Sequence, residues 1–289
     1  MKCCLYCKNT FQSQNWLCPV CGKEPASEGK FHSFCKNMNE KIGGFESDAF
    51  DRLAALETNN FWFESRNQMI LWALEKYFQK SKSFLEAGCG TGFVLQAIER
   101  EHPDWDLYGG EMFVEGLNQA SKRLKKTGLL HMDIRSIPFK DQFDVVGAFD
   151  VLEHVPEDEQ AIAQTYNAAV RGGGVLITVP QHAFLWSHED VVSHHMRRYN
   201  RQDLCRKIEA AGFKILTVTS FVSFLLPLMW VSRLFQQKAS ADFDPAAELK
   251  INPLTNFVFK KVLDFERFLI RWGVRFPMGG SLLVAAKKE

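Results

Sequence analysis

From residue 83 onward, short apolar runs alternate with helical ones, and no other feature narrows the fold so far. The apolar runs are 84–87, 107–111, 129–133, 143–150, 175–179 and 213–220. Between them lie helical patterns at 93–100, 114–125, 157–170 and 201–211. Strands that alternate with helices predict an α/β fold, a doubly wound parallel sheet with helices on both faces. A last strand is expected at 281–287 and an amphipathic helix at 63–79, where Ile70, Leu74, Tyr77 and Phe78 recur at helical spacing. Ser47 or Asp48 would open the helical stretch before it. With 289 residues, 46% hydrophobic and 24% charged, the chain has the composition of a globular protein.

The amino-terminus has a different character. Five of the eight Cys fall within the first 21 residues. Cys4 and Cys7, then Cys18 and Cys21, form two Cys-x2-Cys pairs ten residues apart. Two such pairs supply four thiolates to a tetrahedral structural zinc. A module of this size has too little core to fold without a staple. Gly22 follows Cys21 and permits the tight turn such a knuckle needs. The module resembles the zinc ribbons at the ends of many bacterial proteins. Cys3, His32 and Cys35 are alternative ligands, and unliganded thiols or a redox pair are the competing reading. The domain reading is a Cys module at 1–25, a polar linker at 26–45 and one α/β domain at 46–289.

The turn after the first strand of that domain reads Glu86-Ala87-Gly88-Cys89-Gly90-Thr91-Gly92. Glycines there let a ligand approach the backbone at the carboxyl end of the sheet. The Gly-x-Gly-x-Gly spacing departs from the dinucleotide fingerprint. Glu86 disfavours a pyrophosphate and tolerates a cationic ligand. Glu111 ends the second strand, where a carboxylate accepts ribose hydroxyls. Asp133 ends the third, within reach of an adenine amino group.

Residues 86–92, Glu111, Asp133 and the segment 143–155 together resemble the class I S-adenosylmethionine-dependent methyltransferases, most closely the ubiquinone- and menaquinone-type branch. Arg171-Gly172-Gly173-Gly174 and the closing strand resemble the same family. The resemblance covers residue 60 to the carboxyl-terminus. It implies a seven-stranded Rossmann-like sheet with an antiparallel final strand, and S-adenosylmethionine as cofactor. It implies that Gly88, Cys89, Gly90 and Gly92 form the turn against the methionine part, and that Glu86 orients its ammonium through water. Glu111 would hold the ribose, Met112 would pack on the adenine, and Asp133 and Ile134 would border it. Phe149 and Asp150 would lie beside the methionine end, and Arg66 would reach the cofactor carboxylate; a surface salt bridge is the other reading of Arg66.

On the acceptor side, Asp150, Glu153 and His154 are candidates for a base or for a divalent cation, as in some quinone O-methyltransferases, which usually have Glu where Asp150 stands. Capping of the loop is the structural alternative. A second constellation follows the fifth strand, where His188 and His195 are candidate bases. Arg197, Arg198 and Tyr199 there either bind an acidic acceptor or brace the loop. Residues 221–235 are rich in large apolar side chains, within a helical insertion at about 221–280. They read either as a lid on a membrane admitting a lipid-like acceptor, or as a packed or dimeric face.

Lys and Arg number 35 against 34 Asp and Glu, a net charge of +1, which disfavours nucleic acid as a partner. No apolar run reaches the roughly 20 residues of a membrane span, so a cytoplasmic protein, peripheral to the membrane at most, is expected. The sequence therefore predicts O-methylation of a hydrophobic or lipid-linked small molecule. A silent cofactor-binding module that docks a protein through its zinc ribbon, or a methyltransferase of protein or nucleic acid, are the rivals.

Overall fold

A computed structural model describes residues 1–35, 49–236 and 251–289. The expected caps Ser47 and Asp48, and the second part of the expected linker, lie outside the described residues. Four short strands, β1 (Lys2–Cys3), β2 (Thr10–Phe11), β3 (Ala26–Glu28) and β4 (Phe31–Ser33), precede helices α1 (Ala49–Glu57) and α2 (Phe61–Tyr77). Then come β5 (Ser83–Ala87), α3 (Phe93–Glu101), β6 (Asp106–Glu111), α4 (Val114–Arg123), β7 (Gly128–His131) and β8 (Phe143–Phe149). The chain continues through α5 (Asp158–Ala168), β9 (Ala169–Pro180), α6 (His188–Val192), α7 (Arg201–Ala210) and β10 (Phe213–Phe221). It closes with α8 (Leu226–Gln236), α9 (Pro253–Arg271) and β11 (Ser281–Lys288).

The main sheet runs β10-β11-β9-β8-β5-β6-β7-β4-β3. Strands β5 to β9 pair in parallel, and β11 is antiparallel to both β9 and β10. Seven of the nine strands thus form the expected sheet with its antiparallel last strand. The other two come from the stretch read as linker, which is corrected here: residues 26–33 fold into a hairpin whose β4 adds in parallel to β7. The stretch is polar because its strands are short and lie at an edge, where every other side chain meets water.

Side chains alternate across the sheet. On β5, Phe84 joins the core under α2, α3 and α9, while Leu85 and Ala87 join the core under α5 and α7. Glu86 therefore faces the same layer as α2. Asn60 caps α2 by accepting from Trp62 N at 2.9 Å, which starts the helix two residues before the apolar spacing suggested. Within β9, Phe143 pairs with Ala169 but Val145 with Gly174, so the Arg171–Gly174 run is absorbed as an irregularity inside the strand. Gly172 there has φ +86°.

Four non-glycine residues adopt positive φ at the carboxyl end of the sheet: Asp150 (55°), His182 (66°), His194 (55°) and Val222 (59°). For a β-branched residue such as Val222 this is uncommon, and strain of this kind gathers at functional sites.

Candidate functional site

The glycine turn between β5 and α3 uses φ values of 84°, 51° and 76° at Gly88, Gly90 and Gly92. The three positions are not equivalent. A Cβ on Gly88 would fall 2.5 Å from Val151 Cγ2, whereas one on Gly90 would meet nothing within 4 Å. Gly90 thus borders open space at the end of the sheet.

Carboxylates surround that space. Glu111 is buried and accepts from Gly90 N at 2.9 Å, Met112 N at 2.8 Å and Phe113 N at 3.0 Å. Burial pushes its carboxyl up, against the pull of these amides. Glu86 is fully buried, and its Oε2 has no hydrogen-bond partner among the described residues. Burial drives its carboxyl well above the usual range, and the Arg66 charge opposes this. A buried orphan carboxylate oxygen beside a glycine-lined opening fits a cationic amine at this end of the site.

Arg66 extends from α2 over the rings of Trp62 and Phe63, at 4.8 and 5.6 Å. Its Nη1 donates to Asp150 Oδ2 at 2.6 Å, and its Nε has no hydrogen-bond partner among the described residues. The surface salt bridge foreseen as its alternative is a buried one. It occupies Asp150, which is not among the three donor residues Glu153, His154 and His195 that converge nearby.

Three of the expected cofactor residues have partners within the chain. The Cys89 side chain belongs to the apolar core, not to the opening. Phe149 also points into the core, stacked on Phe84 at 6.4 Å. Both carboxylate oxygens of Asp133 accept from Arg135 at 2.7–3.1 Å, so an adenine amino group would compete with an ion pair. Ile134 is buried beside it, and Met112 follows Glu111 at the rim.

Sequence reasoning missed a second buried cluster over the turn. Thr91 Oγ1 donates to Glu57 at 2.7 Å, and Arg123 Nη1 pairs with the same carboxylate. Arg123 Nη2 also donates to Ala54 O at 2.8 Å, which ties α1 across α4 and the glycine turn. Glu57 ends a helix whose partners lie 34 and 66 residues away, so no local pattern announces it.

Across the opening, Glu153, His154 and His195 each offer a donor atom, all within 4.8 Å of one another. The rings of His154 and His195 stand edge to face at 4.7 Å. Burial first, then the neighbouring His195, lowers the His154 pKa to about 4, so its imidazole is neutral near pH 7. Glu153 is buried, and its Oε2 lacks a hydrogen-bond partner among the described residues. Burial raises its carboxyl well above the usual range, and nearby Asp150 adds to this.

His195 is held by Asp190, whose Oδ1 accepts from Nδ1 at 2.7 Å. A carboxylate only accepts, so Nδ1 carries a proton, and in the neutral imidazole Nε2 keeps a lone pair. Burial alone would raise the Asp190 carboxyl, but hydrogen bonds from His195 and Arg198 outweigh it and hold the group well below its usual range. His188 is exposed on the first turn of α6 and is not among the three residues that converge. Arg197 pairs with Asp158 at 2.7 Å, Arg198 with Asp190 at 2.7 Å, and Tyr199 donates to Asp158 at 2.6 Å. These three residues brace the loop through internal pairing.

The amino-terminal thiols also converge. Cys4, Cys7, Cys18 and Cys21 place all four sulfurs within 4.8 Å of one another, and Cys4–Cys21 and Cys7–Cys18 stand at 3.6 Å. Four thiols so clustered match the donor set of a structural zinc.

The sheet order, the antiparallel last strand and the glycine turn facing buried acids define a class I methyltransferase fold. Residues 34–218, more than half of the chain, match the family described as Methyltransferase domain, and the chain belongs to that family. It is 23% identical over 169 residues to a probable S-adenosylmethionine-dependent methyltransferase of Mycolicibacterium smegmatis, covering 56% of this chain and 63% of the relative. It is 30% identical over 148 residues to a ubiquinone biosynthesis O-methyltransferase of Actinobacillus pleuropneumoniae, covering 45% and 62%. The chain therefore spans less than two thirds of the length of these curated relatives. Among solved structures, an S-adenosylmethionine-dependent methyltransferase of Thermotoga maritima shares the fold with a TM-score of 0.54. That likeness has 16% identity and covers 84% of this chain and 95% of the other. Phosphoethanolamine N-methyltransferase 2 of Haemonchus contortus gives 0.55 at 15% identity, covering 85% and 58%.

Proposed function

We propose that the protein transfers a methyl group from S-adenosylmethionine to a hydroxyl on a hydrophobic or lipid-linked small molecule. The observation that carries this reading is the Asp190–His195 pair, set against Glu153 and His154 at the end of β8. The cofactor supplies a methyl on a sulfonium, which departs as a neutral thioether and needs no acid. The chain has to position the acceptor and take up its proton. His195 Nε2, oriented by Asp190, is the base in this reading. A divalent cation would be held by Glu153, His154 and His195 and would polarise the acceptor oxygen; the buried unpartnered Glu153 Oε2 favours this second route. Glu86, Gly90 and Glu111 bind the cofactor, with Arg66 placed near its methionine end. The four amino-terminal cysteines hold a structural zinc.

The apolar surface of α8 and α9 supports a lipid-linked acceptor. Phe221 and Leu225 are buried, but Phe224, Leu228 and Trp230 are exposed. Helix α9 adds Phe257, Phe265 and Phe268, and Trp272 follows it. Among the described residues, no helix is long and apolar enough to cross a membrane. Aromatic side chains on such a face suit contact with a membrane surface.

The test is transfer of labelled methyl from S-adenosylmethionine into fractionated cell extract, with Asp190→Asn and His195→Gln as controls. Label in the organic-solvent fraction that falls at least tenfold in both variants is expected. Label confined to aqueous, protein or nucleic-acid fractions would overturn the acceptor class. Cofactor binding without any transfer would leave a silent binding module.

A further inference from the structure

The amino-terminal module is not packed as an appendage. Trp16 lies between the two Cys pairs in the chain and packs at a tilt against Phe34, ring centroids 4.4 Å apart, and edge to face against Phe139 at 5.4 Å. Cys4, Cys18, Trp16 and Phe34 share one apolar core with Leu130, Met132 and Ile134, which flank the expected adenine side of the cofactor opening. Phe34 N donates to His131 O at 2.7 Å, continuing the β4–β7 pairing to the end of the sheet.

His131 makes the next link. Its ring is buried, with Nε2 at 2.8 Å from Met112 O and Nδ1 at 2.8 Å from Ser33 Oγ. A backbone carbonyl only accepts, so Nε2 carries the proton and donates to Met112 O. In the neutral imidazole Nδ1 then accepts from the Ser33 hydroxyl. Met112 directly follows Glu111, whose carboxylate holds Gly90 N. The chain of contacts thus runs from the Cys knuckle through Phe34 and Ser33 to His131, and from His131 to the rim of the cofactor opening.

We propose that His131 is a positioning residue that ties the amino-terminal module to the Glu111–Met112 rim, so that cofactor affinity depends on the module being folded. The proposal rests on the cofactor reading above. Without the module, the edge of β7 loses its β4 partner and His131 loses Ser33. The ring that holds the Met112 carbonyl then lacks the Ser33 hydroxyl that fixes its orientation, and keeps only the Cys35 Sγ contact at 3.6 Å beside it. One such hydrogen bond is worth about 0.5–1.5 kcal/mol, a change of about two- to tenfold in affinity.

The experiment uses the full chain and reads the Kd for S-adenosylhomocysteine by calorimetry. Ser33→Ala and His131→Ala are compared with His131→Gln, which keeps a donor for Met112 O. Expected are two- to tenfold weaker binding for Ser33→Ala and His131→Ala, and partial recovery for His131→Gln. The KM for S-adenosylmethionine should rise by the same factor at unchanged kcat. 5′-Methylthioadenosine, which lacks the amino-acid half, should lose affinity equally. Wild-type protein stripped by a thiol-competing chelator should weaken to at least the same degree. If His131→Ala melts early, Ser33→Ala and the stripped wild type still decide the question. Unchanged affinity in those two, with wild type binding normally, overturns the proposal. Failure of the untreated wild type to bind overturns the cofactor reading instead, and this inference with it.

Discussion

Replacing Gly90 by Arg separates ligand binding from folding. Gly90 sits at φ +51°, and a Cβ there meets no atom within 4 Å. The substitution therefore adds left-handed backbone strain without a clash, about 1–2 kcal/mol. For a chain of this size that lowers Tm by a few degrees, at about 2–4 °C per kcal/mol. The arginine side chain must then occupy the opening lined by Glu86 and Glu111. Loss of S-adenosylhomocysteine binding by at least about 100-fold is expected, equivalent to about 2.7 kcal/mol. Gly88→Ala is the contrasting control. Its Cβ would fall 2.5 Å from Val151 Cγ2 at φ +84°, so stability should drop more than in the Gly90 variant although the new side chain is smaller. Calorimetric titration and thermal melting of both variants give the answer. A folded Gly90→Arg protein that binds within threefold of wild type would refute the placement of the cofactor.

Three further outcomes follow from the geometry. Asp190→Asn leaves the buried Arg198 charge without its partner and should cost about 3–5 kcal/mol in urea unfolding; because the folded-state carboxyl of Asp190 is depressed, the wild type keeps this contribution above the unfolded pKa near 4 and loses it as pH falls further. His154, depressed to about 4 from 6.5, refuses a proton that the unfolded chain accepts; stability in metal-free buffer should therefore fall as pH drops from 6.5 to 4, by up to about 1.4 kcal/mol per pH unit, and His154→Gln should flatten that slope. Trp230→Ala with Trp272→Ala should change stability by less than about 0.5 kcal/mol, both side chains being exposed, yet abolish sedimentation with anionic vesicles; equal sedimentation would remove the membrane contact.

The strands and helices of the α/β domain could be read from the sequence because each follows a local period. Alternation of two or of 3.6 residues is carried by neighbours, and the glycines at 88, 90 and 92 mark a turn no other residue adopts cheaply. The paired cysteines were legible for the same reason, as their ligand spacing is short-range. The hairpin at residues 26–33 was not, since strands of three residues have too little pattern to stand out. What makes them strands is the free edge of β7, about a hundred residues further on.

The sequence alone thus determined the alternation of strands and helices in the α/β domain, the turn that opens the cofactor site and the four thiols. Tertiary structure decided which charges meet. It turned Asp150 to Arg66, buried Cys89 and Phe149, and brought His195 beside Glu153 and His154. It also pinned His131 between Ser33 and Met112. The physical reason is that burial and pairing of polar groups depend on distances between residues far apart in the chain, which no local period encodes.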